Sequence, residues 1–455
     1  MTNSKPKSSG NTIAIIAMFF LFAMISFVTN LAAPVGTIWA NHYSWAGMVG
    51  NFMNFLAYLI MGIPAGALLT KIGYKKTALW AIAIGFIGIA IQYFSSIVGA
   101  GVDTFAVNGV PVQLNFLIYL LGAFVCGFCV CMLNTVVNPM LNLLGGGGNR
   151  GNSLLQLGGS FNSLAGTVTP LFVGMLIGTV TKETSMSDVT PLLWIAMGVF
   201  AVAYLIISFV SIPDPHRHSS AEKTVKKKDK YSPWSFRHTV LGVIGIFFYV
   251  GIEVGIPGVL IFYLSDSAAS GITENATAVA GGVAAIYWLL MLVGRLSSSL
   301  ISRVVSSRTQ LMVASAAAII LIVFAIFISS DIRVNMPSYS VEDGFSMAQV
   351  PMKALLLVLC GLFTSIMWGG IFNLAVEGLG KYTAQASGIF MMMVVGGGVM
   401  PLIQNAIATS VSYMASYWLV IAMLAYLLYY AVAGSKNVNK DIPVTEDEES
   451  IPDAL

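Results

Sequence analysis

Residues 213–236 read PDPHRHSSAEKTVKKKDKYSPWSF, and this polar stretch divides the chain into two strongly apolar halves. A bilayer-crossing helix needs about 20 apolar residues. On the N-terminal side, no Lys, Arg, Asp or Glu falls between Lys7 and Lys71, which is room for two spans with a turn near Asn41-His42. The uncharged runs 77–102, 104–149, 151–181 and 189–213 supply four more. On the other side, 239–265 is interrupted only by Glu253, and 275–294, 309–330 and 354–376 follow. The final run, 382–435, holds two spans split near Ser410–Ser412. The expectation is an all-α membrane protein of twelve transmembrane helices in two pseudo-symmetric six-helix bundles. Its parts are a tail 1–11, a bundle 12–212, the linker 213–236, a second bundle 237–434 and an acidic tail 435–455.

Composition supports this reading. Of 455 residues, 57% are hydrophobic and 9% charged, where a soluble protein carries about 25% charged residues. Forty-one charges cannot cover a water-soluble fold of this size, so an ordinary globular enzyme, a disordered chain and a nucleic-acid binder are excluded. The first apolar run continues far past the length of a cleavable signal. With both termini cytoplasmic, 19 of the 22 basic residues fall on the inner side and only Lys182, Arg333 and Lys353 outside. That asymmetry sets the orientation. Multi-pass insertion in the cytoplasmic (inner) membrane is expected, as a monomer.

Chemistry that the chain lacks is also informative. Cys126 and Cys129 have CxxC spacing inside an apolar run, and Cys131 and Cys360 sit in apolar runs too, with no His or second pair nearby. Packing is the simpler reading than a metal or redox site. Gly145–Gly148 lacks the Gly-Lys-Ser/Thr ending of a phosphate-binding loop. No nucleophile–base pair appears. No catalytic residue, metal or organic cofactor is expected. The basic linker reads as a positive-inside segment or as a contact for anionic lipid, and Glu446–Glu449 as a solubilising end.

The halves echo each other. Thr70-Lys71-Ile72 and Thr77 match Ser302-Arg303-Val304 and Thr309, and Pro170-Leu171 matches Pro401-Leu402, at offsets of 232 and 231. Parallel six-helix repeats of this kind are similar to the major facilitator superfamily, whose substrate site lies near the midplane between the halves. More specifically, the chain resembles the fucose/glucose/galactose:proton symporter family. The likeness is carried in order by Gly62-Ile63-Pro64-Ala65-Gly66, Asn138-Pro139, Ser160-Phe161-Asn162-Ser163-Leu164 and Phe248-Tyr249-Val250-Gly251 with Glu253-Val254. It continues through Gly294-Arg295, Ser365-Ile366-Met367, Leu379-Gly380-Lys381, Gly396-Gly397-Gly398 and Pro401. The resemblance implies alternating-access import of a neutral hexose or related sugar, with proton or sodium as any coupling ion. Export of amphipathic compounds, or sugar sensing without flux, are the competing classes.

The chain departs from that family where coupling matters. The family's helix-1 Asp, helix-4 Glu and helix-5 Gln correspond to Ala33, Asn134 and Gly159. Glu253 is then the one acid deep within a span, roughly 22 Å along its helix from Arg237–His238 at 1.5 Å per residue. An ionised carboxylate there is costly unless paired, hydrated or protonated. It is the candidate coupling residue, with sugar or sodium binding and a structural hydrogen bond as alternatives.

Intramembrane polar groups need partners or water. Carboxamides, which both donate and accept, suit neutral polyols. Candidate substrate ligands are Asn30, Asn54, Asn134, Asn138, Gln156, Asn162, Tyr249, Glu253, Trp368, Gln404 and Asn405. Interhelical glue is the alternative for the amides, and Asn51 and Asn142 read as glue. For the aromatics, the alternative is core packing. Lys71, Arg295 and Glu377, at cytoplasmic helix ends, are candidate gate residues, with simple anchoring as the other reading.

Overall fold

The computed structural model describes residues 8–43, 46, 49–107, 109–177, 185–213, 231–273, 276–340 and 344–444. Twelve long helical elements run through them. The first six are α1 (Ser8–His42), α2 (Val49–Ile72), α3 (Tyr74–Ser95), α4 (Leu114–Leu144), α5 (Gly148–Ile177) and α6 (Thr190–Phe209). The second six are α7 (Arg237–Ser265), α8 (Ala276–Ile301), α9 (Ser307–Phe327), α10 (Met352–Ala375), α11 (Gly380–Ser410) and α12 (Tyr413–Gly434). Eleven are long and apolar enough to cross a membrane. The exception is α5, which is 30 residues long but opens on the polar sequence GNRGNSLLQLGGSFNS.

Two antiparallel β-hairpins sit at equivalent places in the two sequence halves. β1 (Asp103–Val107) pairs with β2 (Val110–Gln113) between α3 and α4. β3 (Arg333–Ser340) pairs with β4 (Gly344–Pro351) between α9 and α10. Each turn ends on a glycine of positive φ, Gly109 at 80° and Gly344 at 68°, a conformation that side chains with a Cβ disfavour. Their strands start 230 residues apart, at Asp103 and Arg333, so the internal repeat extends to the loops.

The described residues form two compact units that do not coincide with the halves of the sequence. One takes those within Met1–Leu144, Leu164–Lys230 and Thr383–Met392. The other takes those within Gly145–Ser163, Tyr231–Tyr382 and Met393–Leu455. Each unit therefore includes a segment of a helix from the other sequence half.

Small residues allow these helices to approach closely, the usual basis of helix packing where lipid removes the hydrophobic drive. In the first unit, Gly62 and Gly66 of α2 face Gly388 of α11; a Cβ on Gly388 would lie 2.5 Å from the Gly62 carbonyl oxygen. Cys126 and Cys129 fill notches on α3, where a Cβ on Gly88 or Gly85 would sit 2.7 Å from the respective sulfur. All four cysteines are buried and free. In the second unit, α7 and α11 run side by side. Gly396 lies against Phe247, Met400 against Gly251 and Gln404 against Gly255, in matched four-residue steps.

Candidate functional site

The second unit contains the one ion pair among the described residues. Arg295 Nη2 donates to Glu253 Oε1 at 2.9 Å, with side-chain exposures of 10% and 15%. Glu253 lies near the middle of α7, and Arg295 lies two turns before the end of α8. The remaining guanidinium donors are also engaged. Nε donates to the Ser365 carbonyl of α10 at 3.2 Å, and Nη1 donates to the Gly159 carbonyl at 3.1 Å and to Ser163 Oγ at 2.7 Å, both on α5. One cation thus ties four helices together. A guanidinium offers five N–H donors, and these contacts engage four. Burying the pair is tolerable because the charges meet and the leftover donors are satisfied.

Two glycines make this geometry possible. A Cβ on Gly159 would press on Arg295 Cδ at 3.2 Å, and a Cβ on Gly294 would collide with Ser365 Oγ and the Leu362 carbonyl. The absence of a side chain at Gly159 leaves space for the arginine.

Aromatic residues surround the acid. The fully buried ring of Tyr249, one turn before Glu253, faces the same pair. Trp368, half-buried on α10, meets Tyr249 edge-on with ring centroids 6.2 Å apart. Tyr287 of α8 shares a 2.8 Å hydrogen bond with Thr364 of α10. Glu253 Oε1 accepts from Arg295, and the Tyr249 phenol also bears on this carboxylate.

The N-terminal part of α5 docks in this unit along a single stripe. Asn152 Nδ2 donates to Ser302 Oγ at 2.8 Å, and Ser153 Oγ donates to the Ser299 carbonyl at 2.5 Å. Gln156 Nε2 donates to the Ile366 carbonyl at 2.7 Å. With Gly159 and Ser163 these positions recur at helical spacing and lie on one face. Asn162, half-buried, is on the same segment.

The first unit holds a separate polar cluster between α2 and α4. Asn134 Nδ2 donates to Tyr58 Oη at 2.8 Å and to its own helix at Val130. Asn138 Nδ2 donates to the Asn134 carbonyl at 2.8 Å. Asn54 is buried nearby on α2, one turn from Tyr58, and its Oδ1 has no partner among the described residues. Asn30 of α1 donates to the Ser26 carbonyl at 2.8 Å and lies over Gly166 of α5. The side chains of Ala33 and Asn51 fall outside the described residues.

The other sequence candidates are scattered. Gln404 is fully buried against Gly255, and neither amide atom has a partner among the described residues. Residues 253 and 255 point to nearly opposite faces of a helix, so Gln404 is not at the carboxylate. Asn405 lines an open cleft of about 430 Å³ with Phe262, Ser265, Asp266, Thr409 and Tyr413, at the end of α7 remote from the linker. Lys71 and Glu377 are exposed, and Glu377 is not paired with Arg295; it contributes its backbone carbonyl to His238 Nε2 at 2.9 Å. Sequence reasoning treated Glu253 and Arg295 as separate devices, and it missed Asn152 and Ser163. The helical spacing of 152, 156, 159 and 163 was the available signal.

Residues 14–400 match the Major Facilitator Superfamily across most of the chain. The chain belongs to that superfamily. Among its relatives, the glucose/galactose transporter of Brucella abortus is 30% identical over 422 residues, covering 92% of this chain and 93% of that protein. The L-fucose-proton symporter of Escherichia coli is 24% identical over 427 residues, covering 86% and 87%. A crystal structure of the fucose:proton symporter superposes with a TM-score of 0.72 at 20% identity, covering 93% of this chain and 100% of that one. As a facilitator-superfamily member, the chain is a multi-pass membrane transporter and not an enzyme.

Proposed function

We propose that this facilitator-superfamily chain imports a neutral sugar across the cytoplasmic membrane by alternating access, as a monomer with both termini cytoplasmic. Glu253 is the residue through which the proton gradient acts. The observation that carries this reading is the buried Glu253–Arg295 pair with Tyr249 and Trp368 beside it. The partly exposed indole of Trp368 offers a flat face for a pyranose, and the carboxylate accepts either a proton or a sugar hydroxyl.

The substrate's charge follows from the arginine. An acidic sugar needs a cation with donors to spare, and Arg295 has four of its five already engaged. A neutral hexose needs none. The relatives' names, a glucose/galactose transporter and a fucose-proton symporter, support the same substrate class and a proton as the coupling ion. Since Ala33 and Asn134 stand where that family carries acids, coupling in this chain falls to α7.

The test is a radiolabelled uptake panel in a host lacking its own sugar transporters, with glucose, galactose and fucose against glucuronate. Uptake of at least one neutral hexose and none of glucuronate is expected. Silence across all neutral hexoses overturns the reading.

A further inference from the structure

In the middle of α10 the helix is interrupted: its regular segments are Met352–Thr364 and Met367–Ala375, with Ser365 and Ile366 between them. Backbone polar groups at membrane depth must be satisfied inside the protein. Both carbonyls of this interruption receive a side-chain donor from another helix. Arg295 Nε of α8 serves Ser365 at 3.2 Å, and Gln156 Nε2 of α5 serves Ile366 at 2.7 Å. The Ile366 carbonyl also receives the Gly370 N–H at 3.3 Å, so the amide of Gln156 is its shorter bond.

The surroundings are shaped for this contact. Gln156 is 2% exposed, and a Cβ on Gly369 would come within 2.7 Å of its Nε2. Two residues beyond Ile366 stands Trp368, whose ring meets Tyr249 one turn from Glu253. The interruption therefore sets the direction of the aromatic wall beside the acid. The Ile366 carbonyl keeps its ladder bond to Gly370, and the amide of Gln156 pulls that same carbonyl outward toward α5, the kind of side-chain insertion that bends a helix where it acts.

We propose that Gln156 is a positioning residue for sugar recognition: by capping Ile366 it holds the break in α10, and the break orients Trp368 toward Tyr249 and Glu253. Arg295 supports the other carbonyl of the same break. This places Gln156 behind the site instead of on the sugar, and it rests on the reading of the Tyr249–Glu253–Trp368 cluster as a sugar site. It also gives the docked face of α5 a direct effect on the binding surface, because Asn152, Gln156, Gly159 and Ser163 share that face.

The experiment labels the full-length protein with 5-fluorotryptophan and reads the Trp368 fluorine resonance in the absence of sugar, assigned by its disappearance in Trp368→Phe. Gln156→Met keeps the side-chain length and removes the donor. Its Trp368 resonance shifts, and in liposomes the KM for radiolabelled D-glucose counter-flow rises roughly tenfold, with the maximal rate within about twofold. If Gln156→Met is not recovered folded, Gln156→Leu, which also lacks the donor, is read in the same way. A Trp368 resonance unmoved in the variant that folds overturns the proposal, and a raised KM without that movement makes Gln156 a direct sugar ligand. The resonance is read without sugar, so this outcome stands apart from whether glucose is carried at all.

Discussion

The Arg295 guanidinium donates to the Glu253 carboxylate at 2.9 Å, while its other arm holds the Gly159 carbonyl and the Ser163 hydroxyl of α5. The acid in the middle of α7 and the N-terminal part of α5 thus share a single cation. Any change in the carboxylate's charge acts on Arg295, and through it on α5 and on the break in α10.

Removing one charge should be costlier than removing both. Arg295→Met leaves a buried carboxylate unpaired and should lose about 3–5 kcal/mol. The double variant Arg295→Met with Glu253→Gln should recover a large part of that loss. Thermal unfolding in detergent checks it, and a double variant no more stable than Arg295→Met would count against the pair as drawn.

Gln404 offers a contrast. Its amide is fully buried with both polar atoms unpartnered among the described residues. Gln404→Leu removes that desolvation cost and should be neutral or stabilising by about 1–3 kcal/mol, with sugar counter-flow retained. Loss of counter-flow at normal stability would return Gln404 to the substrate site.

Close helix contacts make a third prediction. A Cβ on Gly388 would lie 2.5 Å from the Gly62 carbonyl oxygen, whereas nothing lies within 4 Å of one on Gly198. Gly388→Val should destabilise by about 1–3 kcal/mol, and Gly198→Ala should stabilise α6 by up to about 1 kcal/mol. Melting curves of the two variants that moved in the same direction would contradict the packing described.

The Asn134 amide bridges α4 to Tyr58 of α2, a structural contact and not a titrating one. Asn134→Ala should cost about 0.6–1.7 kcal/mol and leave the dependence of uptake on the pH gradient unchanged. A lost gradient response would move coupling back to helix 4.

Much of this architecture was legible because lipid imposes simple rules. The breaks at Asn41-His42 and Ser410–Ser412 followed from charge-free length alone, and α2 and α12 begin just beyond them, at Val49 and Tyr413. The depth of Glu253 was legible for the same reason. Its partner was not: Arg295 lies 42 residues away in sequence, two turns from the end of α8, and arginines near helix ends are common as anchors. Nor were the hairpins read, because 104–149 carries no charge and so looked continuous with α4. The Asn108-Gly109 pair was the missed cue, since that dipeptide favours tight hairpin turns. On α5, Gln156 and Asn162 were legible as intramembrane polar residues, but their partners were not. Asn and Gln look alike as sugar ligands and as interhelical bonds, and only the positions of Ser302 and Ile366 separate the two.

The central claim is that Glu253 couples a proton to sugar movement. The most direct measurement compares wild type with Glu253→Gln in liposomes, following accumulation driven by an imposed pH gradient and, separately, sugar counter-flow without a gradient. Glu253→Gln should abolish gradient-driven accumulation while retaining counter-flow. Accumulation at the wild-type rate in that variant would contradict the account.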